Sequence, residues 1–183
     1  MPQDTSHPIL RKTLKHLLLP ALIQRNFFQA SFPREYRDFQ TTLHEPLKLL
    51  HRIEDDILHI LSVQMFTLDR ATLALRFVAV PPTGILDTSG DILPQDGPII
   101  PDFANGGYEL LRNPRRVKYF SADRWWRKTR EEHIEAMVRE VIDCLDEVDA
   151  ALRRGEIGPH IQRHRDYIIR RIEGTDKHEV VTI

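Results

Sequence analysis

A strict alternation of side chains predicts a β-strand in the segment ATLALRFVAVPP, residues 71–82. One face of this strand would carry Leu73, Leu75, Phe77 and Ala79, and the other face would carry Thr72, Ala74, Arg76 and Val78. Successive side chains of a strand point to opposite sides, so the pattern indicates a sheet that is covered on one face. The two prolines at the end of the segment stop the strand because they lack a backbone N–H.

A helical spacing of apolar residues predicts a helix over residues 8–25 near the N-terminus. The residues of its apolar stripe are Leu10, Leu14, Leu17, Leu18 and Ile23. Pro20 lies inside this segment. Proline removes one helical hydrogen bond and collides with the preceding turn, so we expect a kink or an early stop at this position.

The strongest helical pattern covers residues 130–153. Its apolar residues recur at intervals of three and four: Ile134, Val138, Val141, Leu145, Val148 and Leu152. Thr129 and Glu132 have the spacing of a capping box, and Gly155 can adopt the left-handed conformation that ends a helix. A stripe of this kind has to be buried, so we expect a long helix that packs on a sheet.

The C-terminal region predicts a second helix over about 159–172, which would start at Pro159. Its apolar residues are Ile161, Ile168, Ile169 and Ile172. The residues from Gly174 onward are expected to fray. A chain of 183 residues fits one domain, so we expect a single α+β domain over residues 1–173, followed by a flexible tail over residues 174–183.

Two structures are compatible with residues 43–64. Apolar residues at helical spacing favour one long helix: Leu43, Leu47, Leu50, Ile53, Ile57 and Ile60. The segment ILHILSVQMF, residues 57–66, is also typical of a buried strand, which a tight acidic turn at 54–56 would join to the residues before it. The periodicity alone leaves both interpretations open.

Residues 81–114 hold six of the 12 prolines and five of the eight glycines of the chain. This composition predicts a long loop with several turns and a short strand at 108–111. Loops of such length inside a compact domain are usually functional or mobile.

Several short motifs are individually weak, but their order along the chain is informative. They are LxPxL at 18–22, FFQASFP at 27–33, ILSVQMF at 60–66, LRFVAVPPTG at 75–84, an arginine-rich stretch, and WW at 125–126. In this order the chain resembles an uncharacterised bacterial family, domain of unknown function 4304, over about residues 10–127. The resemblance implies an α+β fold with an antiparallel sheet, and it implies no activity or catalytic residue. The resemblance favours a strand over residues 57–66. Residues 43–54 are then predicted to form a short helix or an extra strand in an insertion.

The choice between helix and strand decides one candidate metal site. His51, Asp55 and His59 would share one face of a helix, and a metal ion could then bind between them. A strand sends neighbouring side chains to opposite sides, so the strand interpretation separates the three residues. We therefore expect a solvated turn with a surface histidine and no metal at this place.

Two further candidates come from the C-terminal half. His160 and His164 are four residues apart, which allows either a shared metal ion or an exposed pair on a helix. Cys144 is the single cysteine of the chain, and it is expected to be a buried or boundary thiol because no histidine lies in register to activate it. The sequence predicts no catalytic residue, no metal ligand and no cofactor.

Overall composition indicates a protein without a strong electrostatic preference. The net charge is −1, the pI is about 6.8, and 41% of the residues are hydrophobic. The longest apolar run, residues 17–23, is far shorter than the ~20 residues that cross a bilayer. A single cysteine allows no internal disulfide. We therefore expect a protein of the reducing cytoplasm that does not contact a membrane.

Charge is nevertheless segregated along the chain. Residues 112–130 contain eight lysines and arginines and one aspartate, a local charge of +7. Residues 131–149 contain eight acidic residues and one arginine, a local charge of −7. The two segments can neutralise each other within the fold, or the basic segment with its aromatic residues can bind single-stranded nucleic acid, or the acidic segment can dock a protein.

We therefore expect an antiparallel sheet of about four strands, packed by the N-terminal helix and by the helix over residues 130–153. The expected function is that of a non-enzymatic protein that binds another protein, with toxin neutralisation as one form of this. The candidate docking residues are Asp143, Asp146 and Glu147. The alternative is binding of single-stranded nucleic acid or phosphate through Arg115, Arg116, Arg124, Trp125 and Trp126. A second alternative is a metal-dependent hydrolase.

Overall fold

The computed structural model describes residues 6–30, 44–66, 71–87, 89–99, 101, 104–122, 130–163, 167–171 and 178–182. Within them the chain is α+β, with helices from both ends of the sequence packed on one face of an antiparallel sheet. The α+β class and the two packing helices are therefore confirmed. None of the described helices is long and apolar enough to cross a membrane.

The N-terminal helix runs without a stop through its proline. It consists of α1 (Ser6–Thr13), a π-helical segment (Leu14–Leu18) and α2 (Leu19–Ile23). In the π-helical segment the N–H of Leu19 donates to the carbonyl of Leu14, five residues back. The wider turn precedes Pro20, whose ring would collide with the carbonyl four residues before it in a regular α-helix. The predicted distortion thus takes the form of a widened turn.

Within the described residues the main sheet has seven antiparallel strands, three more than the sequence predicted. Six lie side by side in the order β1 (Phe28–Ala30), β2 (His44–Glu54), β3 (Ile57–Phe66), β4 (Thr72–Val80), β7 (Tyr108–Leu110) and β9 (Ile161–Arg163). The seventh, β8 (Phe120–Ser121), pairs with β4. The extra strands are two or three residues long, and such short strands leave little periodic signal in a sequence.

A tight hairpin joins β2 to β3 and resolves the ambiguity of residues 43–64. Glu54 pairs with Ile57, and the two residues between them, Asp55 and Asp56, have φ values of 50° and 61°. Two positive φ values in a two-residue turn suit the right-handed twist of the strands, and aspartate tolerates them better than most residues. The strand predicted over 57–66 is confirmed, and the helix over 43–64 is excluded.

Both faces of the central sheet are covered, which differs from the one-sided pattern that the sequence predicts for β4. Leu73, Leu75 and Phe77 pack on the helices in the main core. Val78 and Val80 point to the opposite face and are buried as well, in a second apolar cluster. That cluster is closed by the long connection after β4, which includes β5 (Ile85–Leu86) and β6 (Ile92–Leu93) and contributes Ile85, Leu93, Ile99 and Ala104.

The predicted long helix is present as two segments, α3 (Glu131–Asp143) and α4 (Leu145–Arg154), which meet at Cys144. Its predicted apolar stripe is buried in the main core, and Gly155 ends it with a φ of 68°. The predicted capping box is wrong by one residue. Arg130 occupies the cap position, and its N–H donates to the ring of His133 at 3.4 Å; Thr129 lies outside the described residues.

The helix predicted over 159–172 is wrong, because this region contains β9 and β10 (Tyr167–Arg171). The expected frayed end is also wrong for residues 178–182, which form β11 (His178–Thr182) and pair with β10. The misleading feature was the isoleucines, which are common on helical stripes but, being β-branched, fit a pleated sheet better.

Candidate functional site

Two of the residues predicted to bind nucleic acid are placed by the structure on an exposed turn. Arg115 and Arg116 belong to a short 3₁₀ turn, Pro114–Arg116, and both are exposed. Arg124 and the two tryptophans, Trp125 and Trp126, lie outside the described residues. The structure therefore does not test the basic aromatic site as a whole.

The predicted docking residues lie around the junction of α3 and α4. Asp143 is exposed at the end of α3. Asp146 is exposed too, but it accepts a hydrogen bond from the guanidinium of Arg25 at 2.8 Å. Glu147 is half-buried and bound to His160. Two of the three carboxylates thus have partners within the chain, which reduces the charge that this surface offers to another protein.

The same region shows that the basic and acidic segments neutralise each other in part. Arg112, from the basic segment, forms a two-pronged ion pair with Glu140 of α3, with one contact of 2.9 Å. The guanidinium also lies 5.5 Å from the ring centre of Phe120. A guanidinium held in this way is less available to a phosphate, so this contact favours the internal-neutralisation interpretation for Arg112.

A cysteine, a glutamate and a histidine meet beside this junction. Each of Cys144, Glu147 and His160 offers one metal-binding atom, and these atoms lie within 4.8 Å of one another. The ring Nδ1 of His160 lies 2.7 Å from Glu147, and the backbone N–H of His160 donates to the same carboxylate at 2.9 Å. Gly158 permits this approach because a Cβ there would collide with the carboxylate of Glu147. His164, the other predicted ligand, lies outside the described residues.

Cys144 is buried, as predicted, but this cluster corrects the expectation that no histidine is placed to contact it. The sequence gives no sign of this contact, because His160 follows α4 and the loop after it. The fold places His160 beside the junction of α3 and α4. Burial, then the carboxylates of Glu147, Glu140 and Asp143, raise the pKa of the Cys144 thiol to about 11. The thiol is therefore protonated at neutral pH and is a poor nucleophile. A bound divalent cation would favour the thiolate, and among the described residues Cys144, Glu147 and His160 form the group that could hold such an ion.

The metal site considered at the β2–β3 hairpin does not form. His51 lies opposite Ile60, whereas His59 lies opposite Arg52, so the two histidines point to different faces of the sheet. Asp55 is in the turn between the strands. The expected surface histidine is wrong for His59, whose exposed fraction is only 2%.

His59 is buried by a network of charged residues centred on Arg52, which is only 3% exposed. The Nε of Arg52 donates to Nδ1 of His59 at 3.0 Å. Its Nη1 lies 2.7 Å from Asp149 of α4 and donates to the backbone carbonyl of Arg25 at 3.1 Å. The guanidinium also stacks on Phe27, 4.5 Å from the ring centre. The segment that follows α2 is thus joined to β2, β3 and α4 at one point.

The network fixes the protonation of His59. Because Nδ1 accepts a hydrogen bond, the ring is neutral and carries its proton on Nε2. Burial and the neighbouring Arg52 lower the pKa of His59 below 6.5. A neutral imidazole suits a general base, but one so deeply buried cannot reach a substrate. We conclude that Arg52 and His59 stabilise the structure and position other groups.

An apolar surface lies on the opposite face of the same hairpin. Phe28 is 61% exposed and Ile53 is 69% exposed. Phe28 pairs with His51, and Ile53 is two residues further along β2, so the three side chains share one face. Side chains related in this way lie about 5–8 Å apart. We call Phe28, His51 and Ile53 the Phe28–Ile53 patch.

Sequence reasoning missed both features. Arg52 lies on the same face of β2 as the buried Leu50, so its burial could be predicted once residues 44–54 were known to form a strand. The exposure of Phe28 had no signal in the sequence, since aromatic residues are usually buried.

No family model, curated protein or solved structure matches this chain. The resemblance to domain of unknown function 4304 therefore stays a prediction.

The lowered pKa of His59 predicts a pH-dependent stability. Between pH 6.5 and the lower pKa of the folded state, the unfolded histidine binds a proton while the folded one stays neutral, so the free energy of unfolding should fall as the pH falls from 6.5 towards that lower pKa. One group can contribute at most about 1.4 kcal/mol per pH unit. Urea unfolding of His59→Gln should show a shallower fall than the unsubstituted chain. His51→Gln, on the other face, is the control and should keep the full slope. Equal slopes for all three chains would contradict this assignment.

Proposed function

We propose that this chain is a non-enzymatic docking module that binds another protein through the Phe28–Ile53 patch. The observation that supports it best is the exposure of Phe28 and Ile53, at 61% and 69%, side by side on one sheet face. Large apolar side chains in this position are costly in water, and a partner that buries them gains the free energy of their transfer. Aromatic anchors of this kind often dominate the binding energy of an interface.

The charges beside the patch favour a basic partner. Asp55 and Asp56 form the exposed turn that follows Ile53 and Glu54, and no ion-pair partner is found for either among the described residues. Carboxylates at the rim of an interface mainly accelerate association with a positively charged surface. The partner that fits is a protein with an apolar pocket bordered by lysine or arginine. A toxin-neutralising protein of the cytoplasm would bind such a partner, and this role is part of the proposal.

The surface predicted from the sequence is a weaker candidate. Asp143 is exposed and no partner for it is found in the described part of the chain, whereas Asp146 and Glu147 already bind Arg25 and His160. We therefore place the docking surface on the sheet and expect Asp143 to contribute at most to long-range attraction.

Photo-crosslinking in the source organism, with benzoylphenylalanine at position 28, should capture one discrete protein. The same label at Ile92 is the control, because Ile92 is 67% exposed but lies in β6, outside the patch. With the captured protein purified, the double variant Phe28→Ala and Ile53→Ala should bind at least about tenfold more weakly, while Ile92→Ala should bind normally. The proposal is contradicted if position 28 captures nothing beyond the control, if it captures only a second copy of the chain, or if the double variant binds normally.

Nucleic-acid binding through residues 112–130 has less support. Arg112 is held by Glu140, and Arg115 and Arg116 are the exposed members of the predicted set within the described part of the chain. A site for bases needs stacked aromatic residues as well as cations. This alternative stays a prediction.

A metal-dependent hydrolase is the second candidate function, because of the cluster of Cys144, Glu147 and His160. Three protein ligands with an open position are typical of catalytic zinc sites. Titration of the full chain with Co²⁺ should give one saturable site with a thiolate-to-cobalt absorption band. Cys144→Ser and His160→Ala should abolish the band, and His133→Ala should not. Absence of a thiolate band in the unsubstituted chain would exclude this candidate.

A further inference from the structure

A cavity of about 280 Å³ lies between the N-terminal helix and the β1–β3 side of the sheet. The helix contributes residues from α1, the π-helical segment and α2, and the strands contribute Leu47, Lys48 and Val63 among others. The volume is slightly below the ~300–1,000 Å³ of typical small-molecule pockets. It suits a ligand with a single short chain or a single ring.

The walls of this cavity are mainly apolar. Leu18 and its leucine neighbours on the helix face Leu47 and Val63 across the cavity. The π-helical segment, Leu14–Leu18, forms part of the wall, and π-helical turns inside α-helices are frequent at functional sites. The distortion forced by Pro20 is therefore located at the cavity.

The charged residues that line the cavity are all positive. They are Arg11, Lys15 and Lys48, and no aspartate or glutamate is among the described lining residues. Lys15 is exposed, and the Nζ of Lys48 donates to the side chain of Gln29 at 3.1 Å. Two ammonium groups and a guanidinium beside an apolar cavity favour a ligand with an anionic head and an apolar body.

We propose that this cavity binds a small amphiphilic anion, in which a short hydrocarbon chain carries one carboxylate. The chain lies among the leucines and Val63, and the carboxylate lies between Lys15 and Lys48. Burial of the hydrocarbon supplies most of the affinity, and the lysines select an anionic head over a neutral or cationic one. The site lies on the helical face of the sheet, away from the Phe28–Ile53 patch, and it does not depend on the docking proposal.

Calorimetric titration of the full chain with decanoate, below its micelle concentration, tests the cavity. Binding should saturate at one molecule per chain. Each methylene removed from the probe should weaken binding about fourfold, as expected for ~0.8 kcal/mol per buried methylene. Methyl NMR signals of Leu18, Leu47 and Val63 should shift on binding, while that of Ile134 in the main core should not. Decylamine, with a cationic head, should bind at least about tenfold more weakly than decanoate.

Surface variants test the assigned head-group contact without disturbing the core. The double variant Lys15→Gln and Lys48→Gln should weaken decanoate binding about tenfold and leave decanol binding unchanged. Lys12→Gln is the matched control, because Lys12 is exposed on the same helix, does not line the cavity, and should bind decanoate normally. Absence of saturable binding, a shift of NMR signals elsewhere, or equal affinities of the lysine variants and the control would overturn the proposal.

Discussion

A guanidinium buried between a β-hairpin and a helix is the constraint on which this structure depends. Removing a charge from water costs several kcal/mol unless partners replace the lost hydration, so Arg52 is tolerated only where all of its partners meet it. Those partners include Asp149, the backbone carbonyl of Arg25, Nδ1 of His59, the ring of Phe27 and, at 3.7 Å, the carboxylate of Glu54. Any slip of the hairpin by one residue would move Arg52 to the other face and break every contact.

Because Arg52 sets the register of β2, it also determines which residues of β2 lie on each face of the sheet. Lys48, Leu50 and Arg52 point to the helical face, where they line the cavity, fill the core and join α4. His51 and Ile53 therefore point to the opposite face, where they lie beside Phe28. The ion pair of Arg52 thus fixes the register that places one proposed ligand site on one side of the sheet and the proposed docking surface on the other.

The parts of the fold that the sequence predicts are those with a long periodic signal. The stripe from Ile134 to Leu152 and the alternation from Thr72 to Val80 identify the main helix and strand. The helix predicted for the isoleucine-rich C-terminal region was wrong because the spacing of its apolar residues fits both the helical and the strand period. The contact of Cys144 with His160 and the exposure of Phe28 could not be predicted, since both depend on how distant segments pack and not on local spacing.

A double-mutant cycle between Arg52 and Asp149 tests the central claim most directly. Arg52→Met and Asp149→Leu should each lower the free energy of unfolding by about 2–4 kcal/mol, because each removes the shortest ion-pair contact of the other charge. Asp149 then keeps Arg25 at 3.3 Å, and Arg52 keeps Glu54 at 3.7 Å. The double variant should lose at least about 1 kcal/mol less than the sum of the two. The same cycle on Lys12 and Glu131, an exposed pair 3.5 Å apart, should be additive. Additive losses at Arg52 and Asp149 would contradict the account, since the hairpin would then be held in register by something other than this ion pair.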